Sequence, residues 1–184
     1  MMPLGHRAIY KNVSQVLDVR SDDDVVDIAC GSGYFLKNYA CGARSIAGLD
    51  LSELMVELAA RRNRRRVAAG TAEFVHGEAS KLPWDDNRFS AAVSMGSLIA
   101  FSDPGAALKE MCRVLRPGGR AVVSIEWHAE DGLDHTKKVK QWGMRLWGER
   151  EVWRMMEEAG FSELSVSYWK GLGMPRMMIA RGVK

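Results

Sequence analysis

The sequence predicts an α/β fold: a doubly wound sheet of seven strands, mostly parallel with an antiparallel last strand, and helices on both faces. Three observations carry this. Short apolar runs rich in β-branched residues alternate with helical patterns through five consecutive strand–helix units, the order that builds a parallel sheet by crossovers. Glycine or an acid stands at four successive strand ends, at Gly31, Asp50, Glu78 and Gly96. Finally, residues 162–169 and 174–181 both read as strands, joined closely enough through Gly171, Leu172 and Gly173 to pair antiparallel.

Each element has its own signal. Ile9, Val13, Val16 and Leu17 recur at helical spacing over residues 6–19, which predicts a short helix laid on the sheet. After the polar turn Ser21-Asp22-Asp23-Asp24, residues 25–29 form an apolar run with one acid, as in a strand buried on both faces. The run ends in Cys30-Gly31-Ser32-Gly33, and a helix is expected over residues 34–40. Strand, glycine turn and helix together bring bare backbone and a helix N-terminus up to a ligand. A second strand is expected over residues 45–49, closed by Asp50, and Ser52 caps a longer helix over residues 52–69 with Leu54, Met55, Leu58 and Ala59 inward.

Residues 72–76 read as strand three and 89–95 as strand four, separated by a turn-rich loop around Pro83 and Trp84. Asp103 with Pro104 opens a helix that runs to about Leu115 and is stopped by Arg116-Pro117-Gly118-Gly119. Residues 120–126 are strand five. Residues 128–145 read as an irregular loop and short helix over the C-terminal edge of the sheet. A helix over residues 149–159 then ends at Gly160. The whole chain is read as one domain: an N-terminal helix (1–21), a binding core (22–127), a lid or substrate segment (128–148), and a C-terminal helix and hairpin (149–184).

Composition excludes several classes. At 184 residues with 47% apolar residues and six tryptophans, the chain can build one substantial core. A net charge of +3, from 26 basic and 23 acidic residues, does not argue for a nucleic-acid partner. The arginines from Arg61 to Arg66 lack interleaved aromatics and read as a solvated helix end. Three cysteines without a CxxC pair fit free thiols in a reducing compartment. The N-terminus lacks the apolar core of a signal peptide, and no apolar run approaches the ~18 residues of a membrane span. A soluble cytoplasmic protein without a metal is expected; His135 with Asp131 and Asp134 has no second histidine at ligand spacing.

The spacing within the core points to a nucleoside. Asp50 lies 19 residues after Gly31, at the tip of the neighbouring strand, where its two oxygens can accept both ribose hydroxyls. Glu78, at the end of strand three, can accept from an adenine amino group.

These residues resemble a known family. Asp27-Ile28-Ala29-Cys30-Gly31-Ser32-Gly33 is similar to the first motif of class I S-adenosylmethionine-dependent methyltransferases, and Gly48-Leu49-Asp50-Leu51-Ser52 resembles their second-strand motif. Glu110-Met111-Cys112-Arg113-Val114-Leu115-Arg116-Pro117-Gly118-Gly119 resembles the helix-to-strand-five signature of the small-molecule members. The resemblance covers residues 22–127 well and 149–182 loosely. It implies a Rossmann-like sheet and S-adenosylmethionine as cofactor. Gly31 and Gly33 would let backbone approach the methionine part, beside Ala29 and Cys30, and Asp27 would hold the loop and the amino end. Asp50 would bind the ribose, Leu51 would pack on adenine, and Glu78 or the Ala79 N–H would hold its polar edge. Met95 and Gly96 would line the sulfonium end, with Tyr10 and Met55 completing the cofactor set.

Methyl transfer from a sulfonium is an in-line displacement, so the protein's main task is to align the acceptor and exclude water. The expected acceptor is a small molecule. His128, directly after strand five, is the candidate base, with Glu126, Tyr10 and Ser97 also near the mouth. Only residues 1–20 and 128–148 are available as a lid, which leaves three arrangements: an open pocket, one closed by a dimer partner, or one suited to a small or protruding acceptor. Three other readings stay open: a cofactor-binding subunit or sensor without turnover, an RNA methyltransferase using the arginines, and a nicotinamide-dependent oxidoreductase. Leu36, standing where the last of these needs a third small residue, argues against it.

Overall fold

The computed structural model describes residues 4–171 and 176–184. Seven strands form one sheet: β1 (Asp24–Ile28), β2 (Ser45–Asp50), β3 (Ala72–His76), β4 (Phe89–Met95), β5 (Leu115–Ile125), β6 (Ser162–Trp169) and β7 (Met177–Val183). Their order is β3-β2-β1-β4-β5-β7-β6. The first five are parallel, and β7 runs antiparallel between β5 and β6. Strand order reverses between β1 and β4, which is where a ligand sits in an open α/β sheet. Residues 172–175, including part of the expected hairpin turn and the first expected residues of the last strand, lie outside the described residues.

Two cores form because alternate residues of each strand face opposite ways. On one face, α1 (Leu4–Leu17) and α2 (Tyr34–Tyr39) cover Val25, Ile46, Ala91, Val93 and Val122 with Ile9, Val13, Leu17, Phe35 and Leu36. On the other, α5 (Pro104–Val114) and α7 (Glu149–Glu158) cover Val26, Ile28, Ala92 and Val123 with Leu108, Met111, Val152 and Met156. Asp103 caps α5, its carboxylate accepting from Ala106 N at 2.9 Å, with Pro104 in the first turn as expected.

Four expectations change. Among the described residues no helix joins β3 to β4, so the strand–helix units number four and not five. The single helix over residues 52–69 is two helices, α3 (Glu53–Arg62) and α4 (Arg64–Ala68), broken at buried Asn63. Its inward face is also different: Leu54 and Leu58 are 59% and 38% exposed, while Ala59 and Asn63 are buried. Asn63 explains both changes. Its amide donates to Ala59 O and Gly33 O, which ties α3 to the glycine turn and rotates the leucines outward. Strand five begins five residues early. Leu115 pairs with Phe89, the chain then bulges, and pairing resumes at Arg120 opposite Ala91. Lys184 holds the bulge by donating to Arg113 O and Leu115 O. Residues 128–148 contain one short helix, α6 (Thr136–Trp142). No helix among the described residues is long and apolar enough to cross a membrane.

Candidate cofactor and acceptor site

The tips of β1, β2 and β3 form a cleft of about 140 Å³ lined by Ala29, Leu51, Glu78, Ala79 and, from the segment after β4, Phe101 and Asp103. Ala29 enters it at φ +62, a conformation an L-residue adopts at some cost. Asp50 sits at its edge. One carboxylate oxygen accepts from Gly31 N at 2.8 Å and the other from Ser52 N at 2.9 Å. Both bonds fix the carboxylate and leave each oxygen a second lone pair for an incoming hydroxyl. Leu51 is 68% exposed beside the cleft, an apolar side chain with its flat flank unused. Ser52 caps α3 through Met55 N, as expected.

The two glycines of the turn serve different ends. Gly31, at φ +52, has nothing within 4 Å of where a Cβ would stand, so its backbone is open to a ligand. Gly33, at φ +67, has Asn63 Nδ2 at 2.8 Å and Ala59 Cβ at 2.9 Å from that point. Its missing side chain is required by helix packing. Met55 is half-buried on α3 and does not line the cleft.

A second group of residues gathers on the α1 face of the same tips. Asp27 is 3% exposed, and its Oδ1 has no hydrogen-bond partner among the described residues. Burial, with the charge of Asp50 adding to it, pushes this carboxyl well above the usual range. Burial likewise raises the Cys30 thiol, whose neighbours Asp27 and Asp50 add to the shift, so it is a poor nucleophile. Tyr10 reaches over from α1. Its phenol is pushed up to about 12 by burial and by the charges of Asp27 and Glu126. Met95 packs against this face, and a Cβ on Gly96, at φ +65, would stand 3.7 Å from the Glu126 carboxyl.

His128 belongs to neither group. It is fully buried, with Nε2 3.0 Å from Arg176 O and Nδ1 accepting from Glu130 N at 3.3 Å. Both ring nitrogens are engaged, so neither is available to take an acceptor's proton; the residue anchors the segment after β5. His135 does the same, paired with Asp131 at 2.7 Å. Sequence reasoning missed Asn63 and Arg62, which brace the glycine turn. Arg62 donates to Ser32 O at 2.8 Å. A buried asparagine ten or so residues into a helix was the available signal.

An open, mostly parallel sheet with a glycine turn, a fixed carboxylate and a cleft at the C-terminal ends of its strands defines a doubly wound α/β domain of the ligand-binding type. Residues 26–123, just over half the chain, match the family model described as a methyltransferase domain, and the chain belongs to that family. It is 35% identical over 123 residues to a demethylmenaquinone methyltransferase of Shouchella clausii, covering 64% of this chain and 51% of that protein. The chain thus spans about half the length of that curated relative. Its fold matches the YcgJ protein of Bacillus subtilis, with a TM-score of 0.83 at 18% identity over 97% of this chain and 99% of that one. It also matches geranyl diphosphate C-methyltransferase of Streptomyces coelicolor, solved with S-adenosyl-L-homocysteine, with a TM-score of 0.80 at 18% identity over 96% and 75%. The cofactor is S-adenosylmethionine. The residues present fit it: Asp50 keeps free acceptor capacity, Gly31 opens on empty space, and Asp27 has an orphaned buried oxygen.

Proposed function

We infer that the chain transfers a methyl group to a small-molecule acceptor by in-line displacement, with catalysis mainly by positioning. S-adenosylmethionine supplies the electrophilic methyl when bound. The observation that carries this reading is the Asp50 carboxylate, fixed by Gly31 N and Ser52 N at the edge of a cleft between Leu51 and Ala79.

Asp50 would hold the ribose hydroxyls, Leu51 would cover one face of adenine, and Glu78 with the Ala79 N–H would meet its polar edge. Gly31 backbone and Asp27 would meet the methionine end. Alignment at a fixed site replaces a bimolecular encounter and contributes most of the acceleration available to this reaction. Calorimetric titration with S-adenosylhomocysteine tests the reading. Wild type binds in the micromolar range, and Asp50→Ala loses most of that affinity. A panel of acceptors incubated with labelled S-adenosylmethionine, demethylmenaquinone among them, then shows turnover by mass spectrometry. Tight cofactor binding without any turnover would make the chain a binding subunit instead.

A further inference from the structure

The recess under α1 holds two carboxyls, Glu126 and Asp27, and neither forms an ion pair among the described residues. Glu126 stands at the tip of β5, half-buried, without a hydrogen bond or ion pair to another described residue. It lies beside Gly96, at the junction of the β4 and β5 tips. Alternation along β5 puts it on the same face as Val122, under α1, where Tyr10 feels its charge. Independently, Asp27 is nine-tenths and more buried on that face with an unpartnered oxygen. Among the described residues no basic side chain pairs with Glu126 or Asp27. A half-buried carboxylate without a cation is costly, and a site keeps one where a ligand supplies the opposite charge.

We propose that Glu126 is the acceptor-binding carboxylate of this site and that the acceptor is a cationic amine. This rests on the methyl-transfer reading above and names the substrate class for it. An alkylammonium group placed between Glu126 and the Tyr10 hydroxyl finds one charged acceptor and one neutral oxygen. The ammonium proton passes to a Glu126 carboxylate oxygen, and the N–H electron pair stays on nitrogen as the lone pair that will bond the methyl carbon. The same surroundings disfavour a phenolic acceptor. A phenolate brought beside the Glu126 carboxylate meets like charge, whereas an ammonium meets the opposite one.

The test uses the full chain saturated with S-adenosylhomocysteine and titrated calorimetrically with 2-phenylethylamine, with its neutral isostere 2-phenylethanol, and with 1,4-dihydroxynaphthalene. The amine is expected to bind at least ~tenfold more tightly than the alcohol, the scale of one charge-assisted hydrogen bond. Glu126→Gln, nearly isosteric, should erase that preference while S-adenosylhomocysteine affinity stays within about twofold. Glu126→Asp should restore part of it. Equal binding of amine and alcohol, an unchanged preference in Glu126→Gln, or preferential binding of the dihydroxynaphthalene each overturns the proposal. Failure of wild type to bind S-adenosylhomocysteine would instead overturn the cofactor reading beneath it, so the two failures are distinguishable.

Discussion

The two ends of this sheet use the same residue type for opposite purposes. At the N-terminal ends of the strands, acids are matched by arginines. Asp23 accepts from Arg120 at 2.6 Å and from Ser90 at 2.7 Å. Asp24 accepts from Arg44, from Arg116 at 2.6 Å and from Ser45 at 2.6 Å. At the C-terminal ends, Asp27, Asp50, Glu78 and Glu126 have no cationic partner among the described residues. A paired buried acid holds a fold together, because breaking it strands a charge. An unpaired one costs stability and persists where a ligand completes it. Charge balance thus sets the two ends of the sheet apart.

The comparison can be broken most sharply at Arg120. Arg120→Ala strands the Asp23 carboxylate, 2% exposed, and should lower stability by about 3–5 kcal/mol in urea denaturation. A loss under 1 kcal/mol would mean that the lower end is not held by its ion pairs. Next comes Asp50→Ala, which should cost about 1–3 kcal/mol of stability, as Gly31 N and Ser52 N lose their acceptor, and weaken S-adenosylhomocysteine on the order of 100-fold, as two further charged hydrogen bonds vanish. Wild-type affinity in that variant would detach the upper end from nucleoside binding.

The glycine pair sharpens the contrast within the upper end. Gly33→Ala drives a methyl against Asn63 and Ala59 and should cost about 2 kcal/mol of stability. Gly31→Ala meets open space, should cost about 1 kcal/mol from its positive φ, and should hurt cofactor binding far more than folding. Equal effects on folding would refute the division of roles.

The smallest effect is a pair of opposite pH slopes. Arg44, then Ser45 and Arg116, hold the Asp24 carboxyl below its ordinary 3.8. Its contribution is fully present above that value and is lost as pH falls below it, so Asp24→Asn should flatten the acid limb of the stability curve. Asp27 is raised, so the unfolded chain holds fewer protons than the folded one above 3.8, and stability falls as pH rises from there. Asp27→Asn should remove that decline in the cofactor-free chain while weakening cofactor binding.

How far the sequence was legible follows the range of the interactions. The strands, the glycine turn, Asp50, the Ser52 and Asp103 caps and the Gly160 stop were all readable, because each depends on a few consecutive residues. The phase of α3 was not. Leu54 and Leu58 look like a core stripe, and only the grip of Asn63 on Gly33, 30 residues away, turns them outward. The early start of β5 depends on Lys184, 69 residues from Leu115. His128 looks like a base from its place after a strand, yet Arg176 claims its ring from 48 residues away.

By itself, the sequence determined the fold class and the placing of the glycine turn and Asp50 at the strand ends, since backbone geometry there is encoded locally by glycine, acid and cap. Tertiary structure alone decided which acids are paired, which histidine is anchored and which carboxylate stands near Tyr10. Those outcomes depend on what other strands and helices bring within a few ångströms, and short-range pattern carries no record of that.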